Sequence, residues 1–93
     1  MRNIDELKLS KELISFPSIT PTDAGAIKFL SKNLKALGFR CKILEFRDKK
    51  SKPIKNLYAR IGTKQPNICY AGHTDVVPPG NYKDWTTNPF KPI

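Results

Sequence analysis

The residues of this 93-residue sequence best equipped for chemistry are His73 and Asp75, in the stretch NICYAGHTDVVPPG, Asn67–Gly80. His73 is the only histidine. A neutral imidazole is a good ligand for zinc or a similar divalent ion. Asp75, two positions on, leaves the same face of an extended chain about 6.6 Å further along. From there a carboxylate can accept the imidazole's second N–H, which sets the tautomer and raises ligand basicity. Gly72, just before the histidine, permits close backbone packing. Cys69 shares the parity of His73. Four extended residues separate the two by about 13 Å, whereas zinc holds its ligand atoms at about 2.0–2.3 Å, so Cys69 is excluded while the strand is continuous. An H-x-D pair alone specifies little, because the same two residues serve equally as hydrogen-bonded structural or surface groups.

The elements that must position this pair are legible from periodicity. Asn3 with Glu6 has the spacing of a capping box, and a helix is predicted from about Ile4 to Ser15. Ile4, Leu7 and Ile14 lie near one face of it, with Leu13 at the edge. Pro17 and Pro21 disfavour helical geometry at Phe16 and Thr20, so the helix must end near FPSITP. Thr22 or Asp23 then caps a second helix, whose Ile27, Leu30, Leu34 and Leu37 form one apolar stripe and whose end is closed by Gly38. The period changes to alternation in FRCKILEF, Phe39–Phe46, a half-buried strand. A polar loop containing Pro53 leads to a second strand, NLYARI, Asn56–Ile61. After the turn GTKQP, the apolar NICYAG reads as a third strand buried on both faces, ending at His73. The segment beyond, with PPG, Trp85 and NPFKP, reads as an ordered loop. Two helices followed by about three strands define an α/β domain with helices packed on a small sheet. Functional groups in such sheets gather where strands run out into loops, and His73 stands at such a place.

Composition bounds the rest. The 39% hydrophobic and 27% charged fractions are those of a globular protein, and the length allows one domain. The net charge of +9 is spread along the chain, with its densest run at Arg47–Lys55. Without interleaved aromatics or a nucleic-acid motif this reads as a solvated surface, and no nucleic-acid partner is expected. Cys41 and Cys69 lie in apolar runs with no metal-finger spacing, and read as buried, reduced thiols. The charged N-terminus lacks the apolar core of a signal peptide and no run is long enough to span a membrane, so a cytoplasmic location is expected.

The whole string AGHTDVVPPG, followed by Trp85 and by Pro89–Phe90, resembles the first metal-binding motif of the M20 family of zinc-dependent amidohydrolases and peptidases. PSITPTDAG leading into a helix that ends LKALGF, and NLYARIG before the motif, agree with it. The resemblance covers nearly the whole chain and is most specific at Gly72–Gly80. It implies that His73 ligates zinc, or cobalt in its place, and that Asp75 is the catalytic-site aspartate that orients this ligand. Trp85 and Phe90 match positions that shape the fold near the site, while Thr74 and Val76 carry no assigned chemistry. The family's bridging aspartate, glutamate general base, further carboxylate ligand, second histidine and dimerisation domain have no counterpart among residues 1–93.

Residues 1–93 are therefore expected to form the opening part of a catalytic domain, truncated or split, and inactive alone. A small-molecule amide would be the substrate of the complete enzyme. Two alternatives stand beside this: a non-catalytic fragment that pairs with a separately encoded remainder, and a small basic module that binds nucleic acid.

Overall fold

The computed structural model describes residues 4–93. Helix α1 spans Glu6–Ile14 and helix α2 spans Ala26–Ala36. Strands β1 (Arg40–Asp48) and β2 (Ser51–Arg60) pair as an antiparallel hairpin. A single 3₁₀ turn, Tyr82–Asp84, follows late in the chain. Helix α2 packs on the two-stranded sheet and α1 packs on α2, an α/β arrangement of two helices and a small sheet. No described helix is long and apolar enough to cross a membrane.

Each element ends where its residues require. Asp5 caps α1 by accepting a hydrogen bond from the Lys8 backbone N–H at 2.9 Å. Asp23 serves the first turn of α2: its two carboxylate oxygens accept from the backbone N–H groups of Gly25 and Ile27, each at 3.1 Å. Gly25, the residue at the cap position itself, has φ 95°, a left-handed conformation open to glycine. At the other end Gly38 has φ 100°. Its N–H donates to the Lys35 carbonyl and that of Phe39 to the Leu34 carbonyl, both at 3.0 Å, the paired closure of a Schellman motif.

The hairpin runs in register from Arg40↔Arg60 to Phe46↔Ile54, with an irregularity before Asp48. Alternation places Cys41, Leu57 and Ala59 on one face, where they are half-buried. The Cys41 thiol lies 3.7 Å from the Ser31 carbonyl of α2, which identifies this as the helix-covered face. Phe46, Ile54 and Tyr58 lie on the opposite face and are exposed. Among the described residues the buried core is correspondingly small: Ala26 and Ile27 are its apolar members, and Ser18 and Ser31 are buried as well. Phe16 extends it, its ring 5.1 Å from that of Phe29 on α2.

Several expectations are corrected. NICYAG forms no strand: it runs without backbone pairing, with Ile68 93% and Tyr70 91% exposed. Its composition suits a central strand, but a central strand needs neighbours on both edges, and the described residues form only one hairpin, which does not pair with it. Cys69 is exposed for the same reason, whereas Cys41 is half-buried. Pro53 lies within β2 rather than in a loop, as an edge strand permits. The inward side of α1 is carried by Leu9 and Leu13, while Ile4, Leu7 and Ile14 are exposed. Asn3, expected at its cap, lies outside the described residues. The stripe of α2 is placed as expected, with Ile27 buried and Leu30, Leu34 and Leu37 half-buried.

Candidate functional site

The stretch between the helices positions the pair. Pro17 and Pro21 disfavour helix at Phe16 and Thr20, and Ser18–Thr20 runs between α1 and α2 as a strand-like strip. Phe16 anchors its start against Phe29. Thr74–Val76 lies alongside it in parallel, with a bridge at Ile19↔Val76. The Val76 N–H donates to the Ser18 carbonyl and the Thr20 N–H to the Val76 carbonyl, each at 2.9 Å. The Ser18 hydroxyl donates to the Thr74 carbonyl at 2.8 Å. His73 and Asp75 are thus carried on a segment clamped to the first third of the chain, rather than on the end of a sheet strand.

His73 and Asp75 meet directly. The Nδ1 atom of His73 is 3.1 Å from the Asp75 carboxylate and 2.9 Å from the Asp75 backbone carbonyl. Both partners are acceptors, so Nδ1 carries the proton, and in the neutral ring the lone pair resides on Nε2. The imidazole is 83% exposed and the carboxylate 47%. Such an open pair contributes little to stability by itself; what it provides is orientation, with Nε2 left accessible.

The Asp75 carboxyl titrates below its ordinary value, chiefly because the Thr20 side chain hydrogen-bonds the carboxylate. Partial desolvation opposes this, and the His73 ring and the Asp75 backbone add to the lowering. Thr20 and Ser18 are the site residues that sequence reasoning passed over. The proline-bracketed PSITP marked a helix end, but no periodicity shows which distant segment such a strip will pair with.

Beside the pair lies a groove of about 370 Å³, lined by His73 and Thr74 and otherwise mainly by apolar side chains such as Phe16, Val77, Trp85 and Phe90. The Trp85 indole N–H donates to the Pro79 carbonyl at 2.9 Å, which folds the loop after Asp75 into the groove wall. Tyr82 and Phe90 pack with ring centroids 6.5 Å apart. Gly72 is adjoined by the Tyr70 ring, 2.8 Å from where a β-carbon would stand. That neighbour is an exposed, movable side chain, so the close approach restricts Gly72 only mildly.

The pair brings together one imidazole and one carboxylate. Among the described residues no group of three or more His, Cys, Asp and Glu side chains converges. Cys69 takes no part: its thiol is exposed, 3.9 Å from the Tyr70 carbonyl.

Comparison with known proteins gives a consistent result. No protein-family model matches the chain. It is 65% identical over 92 residues to the succinyl-diaminopimelate desuccinylase of Pelagibacter ubique, a match that covers 99% of this chain and 24% of that protein. The enzymes of the same name from Ehrlichia canis and from Wolbachia pipientis of Culex pipiens are 58% and 57% identical, over 94% and 96% of the chain and 23% and 21% of their own lengths. The chain spans about a quarter of the length of these curated relatives.

Proposed function

We propose that the chain forms the N-terminal part of the catalytic domain of a metal-dependent amide hydrolase of the M20 family, of the succinyl-diaminopimelate desuccinylase type. That enzyme would hydrolyse N-succinyl-diaminopimelate to succinate and diaminopimelate, in the cytoplasm, as a step of lysine and cell-wall precursor synthesis. The observation that carries the proposal is the direct contact of His73 Nδ1 with Asp75, within a sequence 65% identical to a protein of that name.

The residues present fit part of a zinc or cobalt site. His73 offers Nε2 as a ligand because Nδ1 is occupied by Asp75. Asp75 holds the tautomer and ring orientation and raises the basicity of Nε2. The ion, when bound, supplies Lewis-acid polarisation of the amide carbonyl and a nucleophile drawn from water. A single imidazole does not hold such an ion in place, so the remaining ligands and the general base come from polypeptide outside these 93 residues. The chain alone is inactive in this reading.

The test is a chimera in which residues 1–93 replace the matching part of the Pelagibacter ubique relative. We expect metal-dependent succinate release from the chimera and none from the 93-residue chain with added zinc or cobalt. His73→Ala should abolish the chimera's activity, and Asp75→Ala should cost about 10–100-fold in metal affinity or rate. A folded chimera without metal-dependent turnover, or turnover by the isolated chain, would overturn the proposal.

A second reading, that the chain pairs with a separately encoded remainder, is favoured by the unpaired, exposed Asn67–Gly72 segment. Unpaired extended segments recruit strands. Co-expression of the chain with the rest of the relative as a separate polypeptide distinguishes a stable pair from two independent products.

A further inference from the structure

The strip Ser18–Thr20 departs from an ordinary parallel ladder at one rung. With Val76 bonded to the Ser18 carbonyl and the Thr20 N–H, the next rung of the ladder would be the Ser18 N–H donating to the Thr74 carbonyl. Instead the Ser18 N–H turns back to the Phe16 carbonyl at 2.7 Å. The Ser18 hydroxyl takes its place, donating to the Thr74 carbonyl at 2.8 Å. Ser18 is only 2% exposed, so water cannot readily substitute for this donor.

The carbonyl so held belongs to the residue between His73 and Asp75. Its direction fixes the plane of the peptide that joins Thr74 to Asp75, and with it the course of the backbone that brings the Asp75 carbonyl and carboxylate to the same ring nitrogen of His73. We infer that Ser18 is a positioning residue: its buried hydroxyl acts as a side-chain rung that sets the geometry of the His73–Asp75 pair and keeps Nε2 as the free ligand atom. As a role in a metal site this rests on the proposed function, but the geometry does not require that a metal be bound.

His73 is the only histidine, so its ring nitrogens can be observed without ambiguity in the 93-residue chain. Long-range ¹H–¹⁵N NMR at a pH where the imidazole is neutral reads the tautomer directly. The expected result is an Nδ1–H ring in the wild-type chain and a shift toward the Nε2–H mixture of a free imidazole in Ser18→Ala, with the amide signals of α2 and the hairpin unmoved. Ser18→Thr, which keeps the hydroxyl, should retain the Nδ1–H form. Retention of the wild-type tautomer in folded Ser18→Ala, or its absence from the wild-type chain, would overturn the inference. If Ser18→Ala and the near-isosteric Ser18→Cys both unfold the chain, the hydroxyl is a folding determinant and the positioning role falls. Because this signal needs neither metal nor turnover, it remains readable if the chimera proves inactive. Conversely, an active chimera leaves the proposed function standing even if the tautomer does not respond.

Discussion

At the scale of single residues, Thr20 bears on the candidate site through the Asp75 carboxylate. Its side chain is the leading reason that the Asp75 carboxyl titrates below its ordinary value. A carboxyl with a depressed pKa in the folded state stabilises the fold fully above the unfolded pKa and loses that contribution as pH falls through the folded value. The His73–Asp75 contact should therefore survive mild acidification on the carboxylate side and release Asp75 only at a pH below that at which an ordinary aspartate titrates. Thr20→Val should move the Asp75 carboxyl pKa upward, toward the ordinary value, as followed by carbon-detected NMR titration. An unchanged midpoint would mean that the hydrogen bond from Thr20 does not govern this carboxylate.

At the scale of elements, α2 is the best-determined piece and shows where sequence reading succeeds. Its stripe of Ile27, Leu30, Leu34 and Leu37, its stop at Gly38 and the alternation into β1 were all legible, because each depends on local periodicity or on one residue's conformational freedom. Its start was legible in part. Asp23 does bond the first-turn N–H groups, but from two residues ahead of the left-handed Gly25. Asp23→Ala should lower the chain's stability by about 1 kcal/mol in urea unfolding, whereas Thr22→Ala should change it little. The NICYAG segment departs from its expected strand for a physical reason. Its apolar run reports what the segment is suited to, but a strand exists only with a neighbour, and the hairpin supplies none to it. The candidate site divides in the same way: the contact between His73 and Asp75 was legible from their chemistry and spacing. The Ser18–Thr20 clamp was not, because it depends on a pairing between segments far apart in sequence.

At the scale of the whole molecule, the distribution of burial is the dominant fact. Among the described residues two apolar ones, Ala26 and Ile27, are buried, while Phe46, Ile54, Tyr58, Ile68, Tyr70 and Val77 are all exposed. A chain that leaves both the outer face of its hairpin and an unpaired apolar segment in water has little margin against self-association. The isolated chain should sediment as concentration-dependent oligomers, with fast amide exchange over Asn67–Gly72. In the active chimera the same amides should become protected. A monodisperse monomer at high concentration would show that the exposed face is tolerated.

The clamp between Ser18 and Thr74 joins residues 56 positions apart. This has a consequence in time. Helices and the β1–β2 hairpin form from near neighbours, but closing so long a loop carries an entropic cost that local contacts must first reduce. The histidine therefore acquires its orientation late: while the chain is being synthesised, α2 and the hairpin can be complete while His73 is still an untethered side chain. Pulse-labelled refolding should record protection of α2 and hairpin amides before that of Thr20 and Val76.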